Sequence, residues 1–402
     1  MKNLKRIALF FLILPIPVVA VALSSRSSER NHRLEDITYA LGSEDPHVRM
    51  GAVVTLPEYG ESAVPILKDA LDDPDPGVRR AAIHSLGKIG GAAAAEALAT
   101  LLSDPDRNVR IMAILSLGET GRDAMPHLLK ALESEPFPRG RMFAATAITH
   151  LAQPGDTADI MKRFERQDSA TRMHLVIALV KIDDDEAYRA LKQLAEHPDR
   201  LVRFYVVNTI AEAPPDKRSL PILLDSLDDT AQEVRMWAMF GLEHLNHPKS
   251  YEHVLSALGD EDAYVRKEAA YTLGNLGNPA AVPYLIACLN DPHYLVRCDS
   301  AESLGKLGDT RAIVALRPML EEQNAAIRIK TAEALARLND YSGMETLIEL
   351  TGDPNLLYQM EACRSLQALS SQDIECNQEA WQNWWLSAKE SVQTEPVDSQ
   401  TR

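Results

Sequence analysis

A repeat of 30 to 32 residues recurs along most of this 402-residue chain, and this repetition limits the possible folds more than any other feature. Each repeat contains an acidic turn, often a Pro, then a Val-Arg pair and an apolar segment that ends in Leu-Gly. The arginines are Arg49, Arg79, Arg110, Arg141, Arg172, Arg203, Arg235, Arg266, Arg297 and Arg328. An eleventh repeat has Gln359 in the same place. A period of this length indicates a solenoid, in which each repeat packs mainly on its neighbours.

The apolar residues of each repeat follow a helical pattern when they are counted from the arginine. They lie one position before it and three, four and seven positions after it, which places them on one face of a helix. The preceding residue is Val or Ile in eight of the ten repeats, namely Val48, Val78, Val109, Val202, Val234, Val265, Val296 and Ile327. We therefore expect each repeat to contain a first helix with one continuous buried stripe.

The boundaries of the helices follow from Asp, Pro and Gly. Asp is expected to cap the first helix and Pro to open it at Asp73-Pro74, Asp104-Pro105, Asp291-Pro292 and Asp353-Pro354. Glycines recur eight and eleven residues after the arginine, where we expect the chain to leave this helix, at Gly87, Gly90, Gly118, Gly121, Gly274, Gly277, Gly305 and Gly308. A second apolar helix follows, opened in several repeats by Pro65, Pro126, Pro221 or Pro283.

The segment from residue 73 to residue 90, DPDPGVRRAAIHSLGKIG, resembles the HEAT-like repeats of the phycobilisome-lyase type in bacterial HEAT-repeat proteins. The resemblance extends over residues 34–370. It implies an all-α fold, an α-solenoid (superhelix) of about ten to eleven HEAT-like helical hairpins whose second helices line a concave face. Repeats four to seven depart from the pattern, since Phe137 to Gly140 replace an acidic turn and Pro214-Pro215 interrupt a connection.

Both ends of the array have segments suited to cover exposed helix faces. Residues 34–41 are predicted to form a lone second helix ahead of the first full repeat. At the other end, residues 371–389 are predicted to form a capping helix that resembles the closing helix of other bacterial HEAT-repeat proteins. Its tryptophans share one helical face and are Trp381, Trp384 and Trp385. They would close the core or, as the alternative, clamp an aromatic ligand. Residues 390–402 are polar and predicted to be disordered.

The N-terminal segment has the features of an export signal. Three basic residues, at positions 2, 5 and 6, precede an uncharged apolar run over residues 7–23 that contains two prolines. Ala20-Val21-Ala22 has the small-x-small pattern of a cleavage site. Residues 1–23 are therefore predicted to be a signal peptide or, alternatively, a membrane anchor, followed by a polar linker over residues 24–33. Either makes the chain exported, and periplasmic or tethered to the inner membrane.

A formal net charge of −16 limits the partners of this chain. Sequence-independent binding to nucleic acid or to an anionic lipid surface needs a surplus of Lys and Arg, which is absent. We therefore expect a protein or peptide partner, and the acidic balance favours a basic one. We expect contact with a membrane only through the N-terminal segment. The oligomeric state does not follow from the sequence.

All four cysteines lie in the last third of the chain, and none belongs to a C-x-x-C pair. They are Cys288, Cys298, Cys363 and Cys376. Export permits disulfides, and one between Cys363 and Cys376 would join the last repeat to the closing helix. The alternative is that all four are small buried apolar residues. Without paired spacing, a zinc site is not indicated.

The repeated arginines are the most regular polar residues of the chain. A side chain at one position of every repeat, following an acidic turn, is expected to form hydrogen bonds and ion pairs with neighbouring turns. The alternative, a ladder of phosphate-binding groups, conflicts with the acids around it. We call these ten arginines the Arg ladder and predict that it is structural.

An enzyme is the main alternative to a protein that only binds a partner. Deoxyhypusine hydroxylase resembles this repeat type and holds two irons with His-Glu pairs, but this chain has no His-Glu dipeptide. Candidate transition-metal ligands are the reversed pairs Glu196-His197, Glu243-His244 and Glu252-His253, with His247 nearby. Polar residues on an exposed turn are the simpler explanation. No nucleophile-base pair, dinucleotide-binding glycines or pigment groove is indicated, so we predict no catalytic, metal or cofactor site.

The sequence as a whole predicts a non-catalytic protein–protein interaction scaffold that acts outside the cytoplasm or at the membrane surface. Two alternatives stay open. One is a HEAT-like repeat enzyme, of the metal-dependent oxygenase or bilin-lyase type, and the other is a passive structural spacer.

Overall fold

A computed structural model of the chain describes residues 36–394, and within them the regular structure is helical with no strand. Residues 36–41 are helical, within the lone helix predicted at the N-terminal end. No helix in this part of the chain is long and apolar enough to cross a membrane. The predicted signal peptide or anchor, the polar linker and the last eight residues of the predicted tail lie outside the described residues.

From residue 46 to the end of the described part of the chain at residue 394, eleven first helices alternate with ten second helices, and a closing helix follows them. The first helices are α1 (Pro46–Thr55), α3 (Pro76–Ile89), α5 (Arg107–Glu119), α7 (Pro138–Leu151), α9 (Ser169–Ile182), α11 (Arg200–Glu212), α13 (Gln232–Leu245), α15 (Ala263–Leu276), α17 (Tyr294–Leu307), α19 (Ala325–Arg337) and α21 (Leu356–Ser370). The second helices are α2 (Val64–Ala70), α4 (Gly91–Ala99), α6 (Met125–Ser134), α8 (Thr157–Phe164), α10 (Asp185–Ala195), α12 (Leu220–Asp225), α14 (Ser250–Ser256), α16 (Val282–Cys288), α18 (Ile313–Leu316) and α20 (Met344–Leu350), and the closing helix is α22 (Gln378–Thr394). The predicted all-α solenoid of helical hairpins is confirmed.

The buried stripe of the first helices is the core of each repeat. In α15, Val265, Ala269, Ala270 and Leu273 lie at the predicted apolar positions and are at most 1% exposed. Full burial of a side chain such as Leu273 contributes about 1.5–3 kcal/mol to folding. The spacing of apolar residues therefore predicted correctly which face of the helix is buried.

The first helices begin two residues later than the Asp-Pro pairs predicted. In α3 the N-cap is Asp75, whose carboxylate accepts hydrogen bonds from the N–H groups of Gly77 and Val78. Asp73 instead accepts a hydrogen bond from the N–H of Asp75. The N-caps of α5, α17 and α21 are shifted in the same way and are Asp106, His293 and Asn355. The Asp of each Asp-Pro pair thus braces the turn ahead of the cap.

The two sets of glycines have different roles, contrary to the expectation that both end the first helix. Gly277 and Gly308, with φ of +70° and +72°, end α15 and α17 in a left-handed conformation. Gly274 and Gly305 lie inside these helices, where the next first helix passes close by. A Cβ on Gly305 would be 2.7 Å from the Cα of Ala334, so the two helices can approach only because this residue has no side chain.

The chain divides into two compact units, Met1–Ala190 and Leu191–Arg402. The division falls among repeats four to seven, where the sequence departs from the repeat pattern. Within each compact unit, the first helices pack along one another, whereas neighbouring second helices make few contacts. In a curved two-layer stack, the row whose helices lie closest together is the inner row. The first helices therefore form the inner row within each unit, which corrects the prediction for the second helices.

The closing helix α22 packs on α20 and covers the apolar end of the last repeat. Trp381 is fully buried in a cluster that includes Leu347 and Leu366, and Trp384 and Trp385 pack against the same cluster. The helix continues to Thr394, so the first residues of the predicted disordered tail are helical. This packing places Trp381 in the core at the end of the solenoid and the other two rings, partly exposed, at the edge of that core.

A disulfide joins Cys363 of α21 to Cys376 in the loop ahead of α22, with Cα atoms 5.4 Å apart. It holds that loop against the last first helix. Cys288 and Cys298 are free thiols, and Cys298 is buried. The alternative that all four cysteines are only apolar core residues is therefore wrong for Cys363 and Cys376.

Candidate functional site

The ladder arginines bind the turn ahead of their own helix. In nine of the ten, an Nη1 N–H donates to the carbonyl oxygen of the residue six positions earlier, over 2.7–3.0 Å. Arg172 departs from this geometry and donates from Nη2 to the carbonyl oxygen of Glu165. The bond holds each acidic turn against the first turn of the helix that follows.

Seven ladder arginines also pair with a carboxylate in the turn of the next repeat. The pairs are Arg49–Asp73, Arg110–Glu135, Arg141–Asp168, Arg203–Asp229, Arg235–Asp260, Arg266–Asp291 and Arg297–Glu322. Burial alone would raise the pKa of Asp291, but hydrogen bonds from Arg266 and from the N–H of His293 hold it below its ordinary value. In the fourth repeat, where Phe137 to Gly140 replace the acidic turn, Glu135 supplies the carboxylate that pairs with Arg110.

These contacts leave little of each guanidinium for a ligand. The side chains of Arg110 and Arg235 are 9% and 8% exposed, and each is bonded both to its own turn and to the next. A bidentate contact to a carboxylate uses the same N–H groups that would bind a phosphate. The ladder therefore connects repeats to one another and offers no open anion site at these residues.

A different set of first-helix residues faces solvent. The residues two and five positions after each ladder arginine, and after Gln359 in the eleventh repeat, lie one helical turn apart, and none of them is buried in α1 to α21. In the second compact unit they are Tyr205, Asn208, Trp237, Phe240, Glu268, Tyr271, Asp299, Glu302, Lys330, Glu333, Glu361 and Arg364. We call this set the first-helix face. Because the first helices form the closely packed row, these side chains lie next to those of the neighbouring repeats.

The first-helix face varies between repeats while its framework is constant. The residue three positions after the arginine is Ala238 in α13 and Ala269 in α15, and both are buried. The residue two positions after it is Trp237 in α13, Glu268 in α15 and Lys330 in α19. Packing therefore does not dictate the identity of the residues on the face. Variable side chains on a repeated framework are what a solenoid uses to form an extended binding surface.

One end of the face is aromatic. Trp237 and Phe240 of α13 meet edge-on with ring centroids 5.3 Å apart, and Phe240 lies 4.2 Å from His244. On the neighbouring α11, the rings of Phe204 and Tyr205 are 5.9 Å apart. All five rings are at least partly exposed. Aromatic residues make up only 5% of the chain, so their concentration at one solvent-facing place indicates an interface.

The other end carries carboxylates and lysines that pair between neighbouring helices. Lys330 of α19 lies 3.2 Å from Glu302 of α17, and Lys306 of α17 lies 3.0 Å from the same Glu302. The ammonium group of Lys306 also lies 4.3 Å from the ring centroid of Tyr271 on α15. These contacts join three successive first helices into one ordered polar surface.

Asp299 of α17 is the least compensated of these carboxylates. It lies 3.8 Å from Lys267 of α15, a longer contact than the other pairs at this end of the face. Burial raises the pKa of Asp299 to about 6; Lys267 opposes the rise, and Glu302 and Glu268 add to it. An added positive charge near Asp299 would therefore be favourable.

The reversed Glu-His pairs do not assemble into a metal centre. Within residues 36–394, no group of three or more His, Cys, Asp or Glu side chains is placed to hold a metal ion. Glu243 accepts a hydrogen bond from Asn275 at 2.8 Å, and the Nδ1 atom of His244 lies 2.9 Å from the carbonyl oxygen of Phe240. These two side chains belong to the border of the first-helix face.

Comparison with known proteins relates the repeats to one family. The family model for HEAT repeats matches residues 34–118, 64–149, 125–203, 157–243, 190–261 and 251–327. A search of curated proteins found no significant match.

Solved structures share the fold at low sequence identity. The karyopherin Kap121p bound to the SUMO protease Ulp1p has a TM-score of 0.59 and 10% identity, over 88% of this chain and 46% of that one. Kap95p, in a structure concerned with RanGDP, has a TM-score of 0.50 and 15% identity, over 92% of this chain and 54% of that one. The chain thus spans about half the length of these two karyopherins. Human deoxyhypusine hydroxylase has a TM-score of 0.29 and 22% identity, over 72% of this chain and 99% of that one, a similarity too weak to bear on activity.

Proposed function

This chain belongs to the HEAT-repeat family, and on that basis we propose that it is a non-catalytic scaffold that holds a protein or peptide partner on its first-helix face. The observation that carries the proposal is the group of solvent-facing rings on α11 and α13, which the helical framework does not require. The karyopherin structures described above contain protein partners, and we propose the same kind of activity here.

Binding suits the chemistry of the face better than catalysis does. Its titratable groups at the charged end are carboxylates and lysines that pair with one another, as Lys330 does with Glu302 and Glu333. Nucleophilic catalysis needs a nucleophile beside a base that activates it. Ordered charge pairs next to aromatic rings instead match the polar rim and apolar centre of protein interfaces. The acidic net charge of the chain favours a basic partner.

We propose further that the chain acts outside the cytoplasm or at the membrane surface, attached or exported through residues 1–23. The basic and apolar pattern of that segment supports this location. The disulfide between Cys363 and Cys376 supports it independently, because structural disulfides form and persist mainly in oxidising compartments.

Two tyrosines of one repeat provide a matched test of the binding surface. Tyr264 lies on α15, one turn ahead of Glu268 on the solvent-facing side, and is 48% exposed. Tyr284 lies on the second helix α16 of the same repeat and is 51% exposed. We would replace each in turn by a photo-crosslinking amino acid in the full chain, in its native cells.

The first-helix face is supported if the probe at residue 264 gives one crosslinked product that saturates with partner level and the probe at residue 284 gives none. Equal products at both positions would show non-specific contact. Absence of any product at residue 264 would sink the scaffold proposal and favour a spacer.

The location is tested by counting thiols in protein taken from acid-quenched cells, denatured and labelled with a maleimide polymer. Export into an oxidising compartment predicts two reactive thiols, from Cys288 and Cys298. Four reactive thiols in the mature protein would contradict it.

A further inference from the structure

The first-helix face of the second compact unit changes character between α13 and α17. Rings dominate α11 and α13, and carboxylates that share a smaller number of lysines follow on α15, α17 and α19. We propose that this border recognises a polypeptide segment that carries an apolar or aromatic side chain and, five or six residues away, a Lys or Arg. This inference rests on the proposed scaffold function and specifies the partner of the same surface.

The aromatic end supplies an anchor site for the apolar residue. Trp237 and Phe240 lie edge-on, and both are only half-buried, so part of each ring is still in contact with water. At the same positions α3 has Ala81 and His84, and α19 has Lys330 and Glu333, in the same helical framework. The rings thus add apolar surface that the fold does not need. Such surface is stabilised when a partner side chain covers it.

The charged end lacks one positive charge. Four carboxylates share three ammonium groups there: Glu268, Asp299, Glu302 and Glu333 contact Lys267, Lys306 or Lys330. Asp299 has the longest of these contacts, at 3.8 Å. A Lys or Arg from a partner would complete the set, and its charge would be held in a partly desolvated site where pairing is stronger than in water.

The distance between the two ends sets the length of the segment. Adjacent packed helices have axes about 8–10 Å apart, so α13 and α17 are separated by roughly 16–20 Å. An extended chain advances about 3.3 Å per residue, so five or six residues bridge that distance. The apolar anchor and the cationic residue of the segment must therefore be five or six residues apart.

The test uses a library of random 16-residue peptides displayed on phage and selected on the full chain. We expect enriched peptides to combine an apolar or aromatic residue with Lys or Arg at that separation. A synthetic peptide of the enriched sequence should bind at least tenfold more weakly to Phe240→Ser and about fivefold more weakly to Asp299→Asn. It should bind within twofold to the control variant Tyr284→Ser.

Circular dichroism of each variant establishes that it is folded, and Glu268→Gln serves as an isosteric second variant at the charged end. The inference would be overturned if no peptide is enriched or if the enriched peptides lack basic residues. It would also be overturned if neither Phe240→Ser nor Asp299→Asn changes the affinity for the peptide. If the crosslink at residue 264 still captures one partner, the scaffold function stands and only the stated recognition fails. If that crosslink is absent as well, both fail.

Discussion

Arg266 and Asp291 are joined by two parallel hydrogen bonds across a repeat boundary, with Nε–Oδ2 and Nη2–Oδ1 distances of 2.7 and 2.9 Å. Their side chains are 14% and 9% exposed. Arg266 also donates through Nη1 to the carbonyl oxygen of Asp260 at 2.9 Å, so one guanidinium joins the turns of two successive repeats. A Lys ammonium cannot form the parallel pair and the carbonyl bond together, because it lacks the planar fork of donors.

Arg266→Lys is therefore expected to lower the free energy of unfolding of the chain by about 1.5–3 kcal/mol, the usual contribution of hydrogen bonds to a charged group. Urea denaturation followed by circular dichroism measures the change. The matched control is Arg328→Lys in the same unit. Arg328 keeps the carbonyl bond to Glu322, but no carboxylate pair is formed by Arg328 within residues 36–394. Equal losses in the two variants would contradict a role for the bidentate pair.

The apolar spacing sufficed to predict the first helices because burial of one stripe depends on residues that are close in the chain. The position of the N-cap could not be predicted in the same way. Asp73 does not cap the helix; it accepts a hydrogen bond from the N–H of Asp75 and is bound by Arg49, 24 residues earlier, through two hydrogen bonds of 2.8 and 2.9 Å. Asp104 and Asp353 also accept the N–H two residues later, although no ladder arginine pairs with their carboxylates in the described part of the chain. The shift of the cap therefore follows from the turn itself, and the arginine pair is added where it forms.

The first-helix face was missed because curvature depends on which row of helices packs more closely. The signal was present in the comparison of repeats: Trp237, Glu268 and Lys330 occupy one position, whereas the residues one place further on in the same three helices, Ala238, Ala269 and Thr331, are all small and buried. Solvent-facing positions that vary on a fixed framework indicate the binding side of a solenoid. Their partner has no counterpart in the chain, so the identity of the ligand could not be predicted from repeat spacing.

The close packing of first helices predicts a strong asymmetry between two glycine substitutions. Gly305→Ala would place a Cβ 2.7 Å from the Cα of Ala334, which forces α17 and α19 apart, and it should destabilise the protein by about 1–3 kcal/mol. Gly51→Ala in α1 places its Cβ where nothing lies within 4 Å, and it should stabilise by about 0.5–1 kcal/mol through helix propensity. Thermal unfolding checks both, and a tolerated Gly305→Ala would refute close packing as the reason for this glycine.

The disulfide at the end of the solenoid predicts a local effect of reduction. Cys363 and Cys376 are separated by 13 positions in the chain, and closing a loop of that size stabilises by about 3 kcal/mol in the chain-entropy model. Reduction should therefore loosen α22 and shift the emission of the buried Trp381 to longer wavelength at a lower urea concentration. Cys376→Ser should show the same shift without a reductant. Cys288→Ser is the control, and its response to reductant should equal that of the unaltered chain.

The charged end of the first-helix face predicts an inverted dependence of stability on pH. Asp299 has a pKa of about 6 because burial disfavours its charged form, and the neighbouring Glu302 and Glu268 add to that effect against Lys267 and Lys330. An unfolded Asp has a pKa of about 3.9, so the folded chain takes up this proton first as the pH falls. The resulting stabilisation is complete below about pH 3.9, where Asp299 is protonated in the folded and the unfolded chain. It is lost as the pH rises from there through 6.

Asp299→Asn removes the charge that the site disfavours, so the variant should melt at a higher temperature than the unaltered chain at pH 7.5 and, by about half that margin, at pH 5, where an unfolded Asp is already charged. Asp73→Asn is the opposite case. The hydrogen bond from Arg49 lowers the pKa of Asp73 below its ordinary value, so this variant should be destabilised equally at both pH values. Melting temperatures measured by circular dichroism from pH 5 to 7.5 decide the matter. A difference for Asp299→Asn that does not change with pH would mean that Asp299 is already charged at pH 5 and that its neighbours fully compensate it.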